Sequence, residues 1–432
     1  MQMRAARFLA TTLMIATTGL AVADALPRAA SPEAVGLSSE RLQRLTDTFK
    51  ADVASGAIPG AVVAIVRDGK VVYFQSFGFQ DRAASVPMKP DSIFRIASMT
   101  KPVTVVAALM LIEEGKLQLM DPVSAYLPQL KSLQVGVERV DGSGERSLVL
   151  EPARREITVQ DLMRHTSGMT YGPFGDSLVQ RAYRAANAMD DQQTNAQMLD
   201  KLAKLPLAYQ PGTMFEYGMS TDVIGRIVEV VSGMDLNRFV AERIAKPLRL
   251  SNFGFLLDPH QTSNLAQPQA AGGGAAPVVV GYNPARPPKW FSGGGGLLSS
   301  AEDYARFSQM LLNGGELDGV RLLSRKSVEL MTSNHLPPGV GFGAFTMELG
   351  LTAPLPQLGQ GYGLGVGVRE EKGRATVPGS VGDFFWGGAT GPYFWVDPQE
   401  KLIAVMMLQE SNIQRRTHYR SVMRNLVYQA LQ

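Results

Sequence analysis

The chain has 432 residues, 45% of them apolar and 19% charged, and its 42 basic and 39 acidic side chains leave a net charge of +3. That apolar fraction excludes wholesale disorder, and the near balance of charge without a clustered basic run gives no support for a nucleic-acid binder. Cysteine is absent, which excludes disulfides, thiolate nucleophiles, Cys-ligated zinc and iron–sulfur clusters together. The four histidines, at 165, 260, 335 and 418, stand too far apart in sequence for a helical metal pair, so neither metal nor organic cofactor is expected.

Residues 1–23 read as a secretory signal peptide. Arg4 and Arg7 form a basic start, an apolar stretch over 8–20 follows, and Ala21-Val22-Ala23 and Ala23-Asp24-Ala25 both offer small-x-small cleavage sites. Cleavage would deliver the chain to the periplasm or outside the cell. No later segment approaches about 18 uninterrupted apolar residues, so no stable membrane insertion is expected afterwards.

Leu42, Leu45, Phe49 and Val53 recur at helical spacing, and the pattern predicts a helix over 38–56 capped by Ser38 or Ser39 and stopped by Gly56. Two β-rich runs over 61–78 then flank Asp68-Gly69, the dipeptide that a type I′ hairpin needs. Residues 98–115 are apolar and helical in pattern. The middle, roughly 125–285, carries its clearest helices over 223–231 and 236–244. Glycine-rich text occurs at 271–276 and 292–296; the second run leads directly into a helix that Ser300 and Asp303 begin, so it reads as a tight turn. Strand patterns return over 362–368, 383–386, 393–396 and 402–408, and a final helix covers 415–431. Strands at both ends of a helical middle predict one antiparallel sheet built from the two termini, with an inserted lobe. The division is then 1–23 signal, 24–125 with 286–432 as a discontinuous α/β domain, and 126–285 as a mainly helical lobe.

Ser98 opens a helix in Ser98-Met99-Thr100-Lys101, and the three-residue spacing stacks Lys101 one turn beyond it. A serine hydroxyl is a poor nucleophile until a base takes its proton, and a buried lysine can be that base. Ser-x-x-Lys alone is a weak pattern; the plain alternative is a capping serine and a surface lysine. Tyr217 stands in a loop just before a helix, where a phenol near two cations can act as a base; a half-buried loop tyrosine is the plain alternative. Trp386-Gly387-Gly388-Ala389 is a strand running into glycines, and the Ala389 amide can pair with the Ser98 amide as an oxyanion hole. A simple strand end is the alternative.

In this order the three elements resemble the superfamily of serine β-lactamases, penicillin-binding proteins and family VIII carboxylesterases. The resemblance runs from about residue 32 to the C-terminus, with supporting segments at 157–169 and 295–307. It implies an α/β plus all-α, β-lactamase/transpeptidase-like fold, an antiparallel sheet flanked by helices with an inserted helical lobe and the site in the cleft between. It also implies Ser98 as acylated nucleophile, Lys101 as its base partner, Tyr217 as second base, and the backbone of Ser98 and Ala389 as oxyanion hole. Two departures bear on substrate. Class C β-lactamases and DD-peptidases carry Tyr-x-Asn and a third motif beginning with Lys or His; here Met219 and Trp386 stand at those places. Methionine offers no amide, and an indole offers an apolar face and one donor. Losing a charge-assisted contact removes about 1.5–3 kcal/mol of recognition. The Trp-Gly-Gly form is similar to family VIII carboxylesterases. The expectation is therefore a serine hydrolase working through an acyl-enzyme, a carboxylesterase of neutral short-chain esters, with Met219, Trp386, Gly387 and Gly388 toward the small-molecule substrate. A β-lactamase, or a D-Ala-D-Ala carboxypeptidase or amidase, would keep the same Ser-Lys-Tyr site. A catalytically silent wall-binding or sensor module would keep only the fold.

Other signals rank lower. Gly175-Asp176-Ser177-Leu178 spells the motif of another lipase class, but in a loop-like setting, and no Gly-x-Ser-x-Gly elbow occurs. His165 reads as a structural residue at the lobe junction rather than a triad base. Tyr171, Phe174, Trp290, Phe291 and Tyr393 are candidates to line an acyl pocket.

Overall fold

The computed structural model describes residues 25–268, 281–410 and 412–432. The expected signal segment 1–23 and the glycine run 271–276 lie outside the described residues. Helix α1 (Ser39–Ser55) begins where Ser38 Oγ accepts the amide of Arg41, and it ends at Gly56, whose φ of 78° closes the last turn. Strands β1 (Gly60–Arg67) and β2 (Lys70–Asp81) follow as a hairpin. Asp68 and Gly69 both have positive φ, 50° and 72°, as a type I′ turn demands. β3 (Val86–Pro87) is a short edge strand, where a proline costs no interior ladder bond.

Helix α2 (Thr100–Glu113) is buried almost along its whole length and runs through the middle of the molecule. The inserted lobe follows. Its helix α3 (Ser220–Ser232) packs on α2, with shorter helices at Val159–Met163, Leu178–Ala185 and Asn195–Leu202 around it. The lobe also holds a hairpin, Gln134–Val140 with Arg146–Pro152, that the sequence pattern did not predict. The helix expected over 236–244 is a short α-helix, Leu236–Val240, that widens into a π-turn, Ala241–Ala245.

Helix α4 (Ala301–Leu312) starts as expected, with Ser300 Oγ accepting the Asp303 amide. The single strand expected over 362–368 is instead two antiparallel strands, β4 (Gln360–Tyr362) and β5 (Gly367–Arg369). The chain reverses between them because Gly365 adopts φ 78° and presses on α2, where a Cβ would lie 2.8 Å from Val105. β6 (Phe384–Gly387), β7 (Tyr393–Asp397), β8 (Leu402–Leu408) and helix α5 (Ile413–Tyr428) complete the chain.

The strands β1 to β8 form one antiparallel sheet in the order β4-β5-β6-β7-β8-β1-β2-β3. The termini meet at its centre, where Ala61 through Arg67 pair with Leu408 through Leu402. Alternation along β1 divides the core. Ala61, Val63 and Ile65 join the cluster of Leu45, Phe49 and Met423 from α1 and α5, while Val62, Ala64 and Val66 join that of α2 and α4. This β-lactamase/transpeptidase-like layering, with helices on both faces, buries β8 completely and β1 up to the half-buried Arg67, and leaves the β6 end free to meet the start of α2. No helix among the described residues is long and apolar enough to cross a membrane.

Candidate active site

Ser98 lies on a 3-10 turn, Ala97–Met99, that precedes α2 rather than inside the α-helix itself. Ala97 has φ 45°, a left-handed conformation that costs a non-glycine residue on the order of 1–3 kcal/mol and persists only when neighbours enforce it. They do so from three sides. Thr100 Oγ1 donates to Ala97 O at 2.6 Å, Tyr304 of α4 donates to Met99 O at 2.8 Å, and Thr390 donates to Arg95 O at 2.9 Å. The end of β6 runs against the same turn: a Cβ on Gly388 would lie 2.5 Å from Ile96 O, so only glycine fits. No backbone carbonyl among the described residues accepts the amides of Ser98 or Ala389, and both residues line one cavity.

Lys101 is wholly buried. Its Nζ donates to Gly294 O at 2.7 Å, to the Tyr171 hydroxyl at 3.2 Å and to Ser98 Oγ at 3.4 Å. The Ser292–Gly296 loop makes this possible, since a Cβ on Gly294 would sit 2.5 Å from Asp222 Oδ2 and 3.0 Å from the Tyr171 hydroxyl. Asp222, on the first turn of α3, accepts from Gly294 N at 3.0 Å and from the Ser292 hydroxyl, and its Oδ2 has no hydrogen-bond partner. Burial pushes this carboxyl upward, while Lys101 and the two hydrogen bonds pull it back. Burial, reinforced by Asp222, pushes the Tyr171 phenol well above its usual value of 10.0, so it stays protonated. Tyr171 entered the sequence reading only as an acyl-pocket candidate; the structure adds its contact with the amine.

Tyr217 stands differently from its expected pose. Lys101 Nζ lies over the face of its ring, 4.5 Å from the centroid, while its hydroxyl accepts Trp386 Nε1–H at 3.2 Å. Packing explains the orientation: the rings of His165, Trp386 and Tyr171 crowd it at 4.8, 5.5 and 5.7 Å. His165 backs this cage from the protein interior. Burial and the charge of Lys101 hold its imidazole well below the usual 6.5, and its Nδ1 accepts the Gly218 amide at 3.4 Å. It does not line the cavity, as its structural reading implied.

The cavity in front of Ser98 has a volume of about 500 Å³. Trp386, Gly387 and Gly388 contribute to its wall, as do Tyr171, Phe174 and Trp290. Met219 does not: at the start of α3 its side chain turns into the core and is fully buried, so it is no substrate contact here. Phe291 packs on Phe255 and Tyr393 accepts a hydrogen bond from Arg424, both off the cavity. The sequence reading missed Phe345, which stacks on Phe174 at 4.5 Å, and two arginines of α5, Arg416 and Arg420, that reach the wall beside Gly388 and Ala389. Nothing local marks a basic residue of the last helix as facing a serine more than 300 positions earlier. Ser177 of the Gly-Asp-Ser-Leu run caps the helix Leu178–Ala185, and Asp176 pairs with Arg181 and Arg184. Chemically, the assembly is a hydroxyl within reach of a buried amine, two phenols against that amine, and two residues with unclaimed amides lining one cavity.

A family model described as Beta-lactamase matches residues 45–426. Protein Rv1367c of Mycobacterium tuberculosis is 36% identical over 360 residues, 82% of this chain and 86% of that protein. Esterase EstB of Burkholderia gladioli is 29% identical over 392 residues, covering 86% of this chain and 90% of its own. Among solved structures, EstCE1, described as a hydrolase with promiscuous acyltransferase activity, superposes with a TM-score of 0.73 at 27% identity over 90% of this chain and 99% of its own.

Proposed function

From the premise that this chain belongs to the Beta-lactamase family, as a serine hydrolase of that fold, we propose that it is a carboxylesterase acting on neutral short-chain esters. The observation that carries the reading is the approach of Lys101 Nζ to Ser98 Oγ at 3.4 Å, with Trp386 rather than a lysine beside them. The names of two relatives, Esterase EstB and the hydrolase EstCE1, support the same class of reaction.

Lys101 removes the proton of Ser98, and Oγ attacks the ester carbonyl. The charge that develops on the carbonyl oxygen meets the amides of Ser98 and Ala389. The bond to the alcohol breaks as Tyr217 relays a proton to the departing oxygen. Water then enters, loses a proton to the same groups and releases the acid. The Trp386 N–H holds the Tyr217 hydroxyl against the cavity, so the indole replaces a cation in the third motif and at the same time orients the second base. We further infer from residues 1–23 that this activity belongs to the periplasm or the cell exterior.

A parallel panel tests the proposal: p-nitrophenyl butyrate, a long-chain ester, a chromogenic cephalosporin and a D-Ala-D-Ala peptide. The short ester is expected to dominate. Faster turnover of the cephalosporin or the peptide would replace this reading by a β-lactamase or carboxypeptidase. Failure of a fluorophosphonate to label Ser98 would favour a silent binding module.

A further inference from the structure

Lys101 lies between two phenols that come from different segments of the inserted lobe. Tyr171 follows the helix Val159–Met163, and Tyr217 precedes α3. Their rings stand 5.7 Å apart at 69°. The Lys101 nitrogen is 3.2 Å from the hydroxyl of the first and 4.5 Å from the ring centre of the second. No backbone hydrogen bond among the described residues joins 169–171 to 216–218. The bond that joins them is made by side chains directly behind the phenols. The Thr170 hydroxyl donates to Glu216 Oε1 at 2.6 Å, and each of these residues is the chain neighbour of one tyrosine. Both are buried, at 1% and 3% exposure. The two backbones touch here because Gly218 has no side chain; a Cβ on it would lie 2.6 Å from Thr170 Cα. The far side of the carboxyl is wedged as well. A Cβ on Gly343 would collide with Glu216 Oε2, and the Gly343 amide donates to Phe215 O at 2.9 Å. Two residues further on stands Phe345, whose ring lies 6.1 Å from that of Tyr217.

We propose that the Thr170–Glu216 bond is a clasp that sets the spacing of the two phenols around Lys101, which makes Glu216 a positioning residue for the reaction. Glu216 does not line the cavity and acts through Tyr217 and, by way of Thr170, through Tyr171. Lys101 can take the Ser98 proton only while its amine stays in place, and the two phenols are part of what holds it there. The proposal rests on the hydrolase reading for its chemistry, since the reaction must run through Ser98 and Lys101.

Thr170→Val keeps the shape of the side chain and deletes the hydroxyl; Glu216→Ala deletes the acceptor, and Glu216→Gln keeps it. Two rates are compared on protein whose far-ultraviolet circular dichroism matches wild type: labelling of Ser98 by a fluorophosphonate, and turnover of p-nitrophenyl butyrate. Thr170→Val and Glu216→Ala are each expected to slow labelling and kcat about tenfold, with KM within about twofold. Glu216→Gln should stay within about twofold of wild type in both rates. The double variant Thr170→Val/Glu216→Ala should be no slower than either single one, as befits two ends of one bond. Should either single variant fail to fold, the other decides against Glu216→Gln. Labelling and kcat unchanged in Thr170→Val, or Glu216→Gln as slow as Glu216→Ala, would overturn the clasp and leave the esterase untouched. Conversely, a wild type that is labelled but inert toward the ester panel would sink the esterase, and the labelling rates would still test the clasp.

Discussion

Two buried basic side chains stand close to Ser98 and the cleft, and they are treated in opposite ways. The Lys101 amine nitrogen has three oxygens around it, those of the Gly294 carbonyl, the Tyr171 hydroxyl and the Ser98 hydroxyl, and Asp222 holds the amide of the same Gly294. Arg420 has one carbonyl, an idle N–H and no acid. Two basic side chains so close to one serine are thus held by different means. The one that handles protons must be held in one geometry and balanced locally, because its charge changes during the reaction. Arg420 instead holds backbone at the end of β6, through the Gly388 carbonyl.

That contrast can be broken experimentally. The largest effect should come from the Lys101 side: Ser98→Ala is expected to lower kcat for p-nitrophenyl butyrate by about ten-thousand-fold or more at unchanged thermal midpoint, and Lys101→Ala nearly as much, since nucleophile and base act as a unit. Next comes Asp222→Asn. It removes the acid that balances Lys101 through Gly294, and a charged hydrogen bond of about 1.5–3 kcal/mol translates into a roughly 10- to 100-fold loss of kcat. A rate within twofold of wild type would show that Lys101 needs no such balance. Trp386→Phe keeps the ring and deletes the N–H that holds the Tyr217 hydroxyl; a neutral bond of about 1 kcal/mol implies a fall in kcat of roughly fivefold, with KM little changed.

A separate expected change concerns stability, beside the site rather than in it. Glu216 adjoins Tyr217 in sequence, accepts from Thr170 at 2.6 Å and leaves Oε2 buried without a partner. Burial raises its carboxyl to about 7 from 4.5. A raised folded-state value means that its protonation supports the fold fully below about 4.5, and that this support is lost as pH rises through about 7. The difference is worth about 3 kcal/mol. Glu216→Gln, neutral at every pH, should therefore lose less thermal stability than wild type between pH 5 and pH 8. Equal slopes would place Glu216 outside this linkage.

The legible parts of the molecule are those whose signals are local. Ser38, Gly56, Asp68-Gly69 and Ser300 mark their own helix ends and turn, and the alternating runs at both termini announced a shared sheet. Ser98 and Lys101 were readable because three residues in a helical segment fix their own neighbourhood. The hairpin at 134–152 escaped because one of its strands breaks alternation at Glu138-Arg139; its turn is set by Asp141, whose carboxylate accepts the amides of Ser143 and Glu145. The orientation of Tyr217 escaped for a different reason. The tyrosine was identified, but which atom it offers Lys101 is settled by rings from three other segments. Met219 failed as a substrate contact because a motif position says which residue is present, not which way the first turn of α3 points it. Arg420 shows the limit most plainly, since its place depends on a glycine on β6 that no window of sequence around it contains.

The most direct measurement is intact-protein mass spectrometry during turnover of a short ester, followed by mapping of the acylated peptide. A transient acyl group on Ser98, absent from Ser98→Ala and scarcely formed by Lys101→Ala, is the expected result. Acylation of a different residue, or full turnover by Ser98→Ala, would contradict a hydroxyl activated by the buried amine.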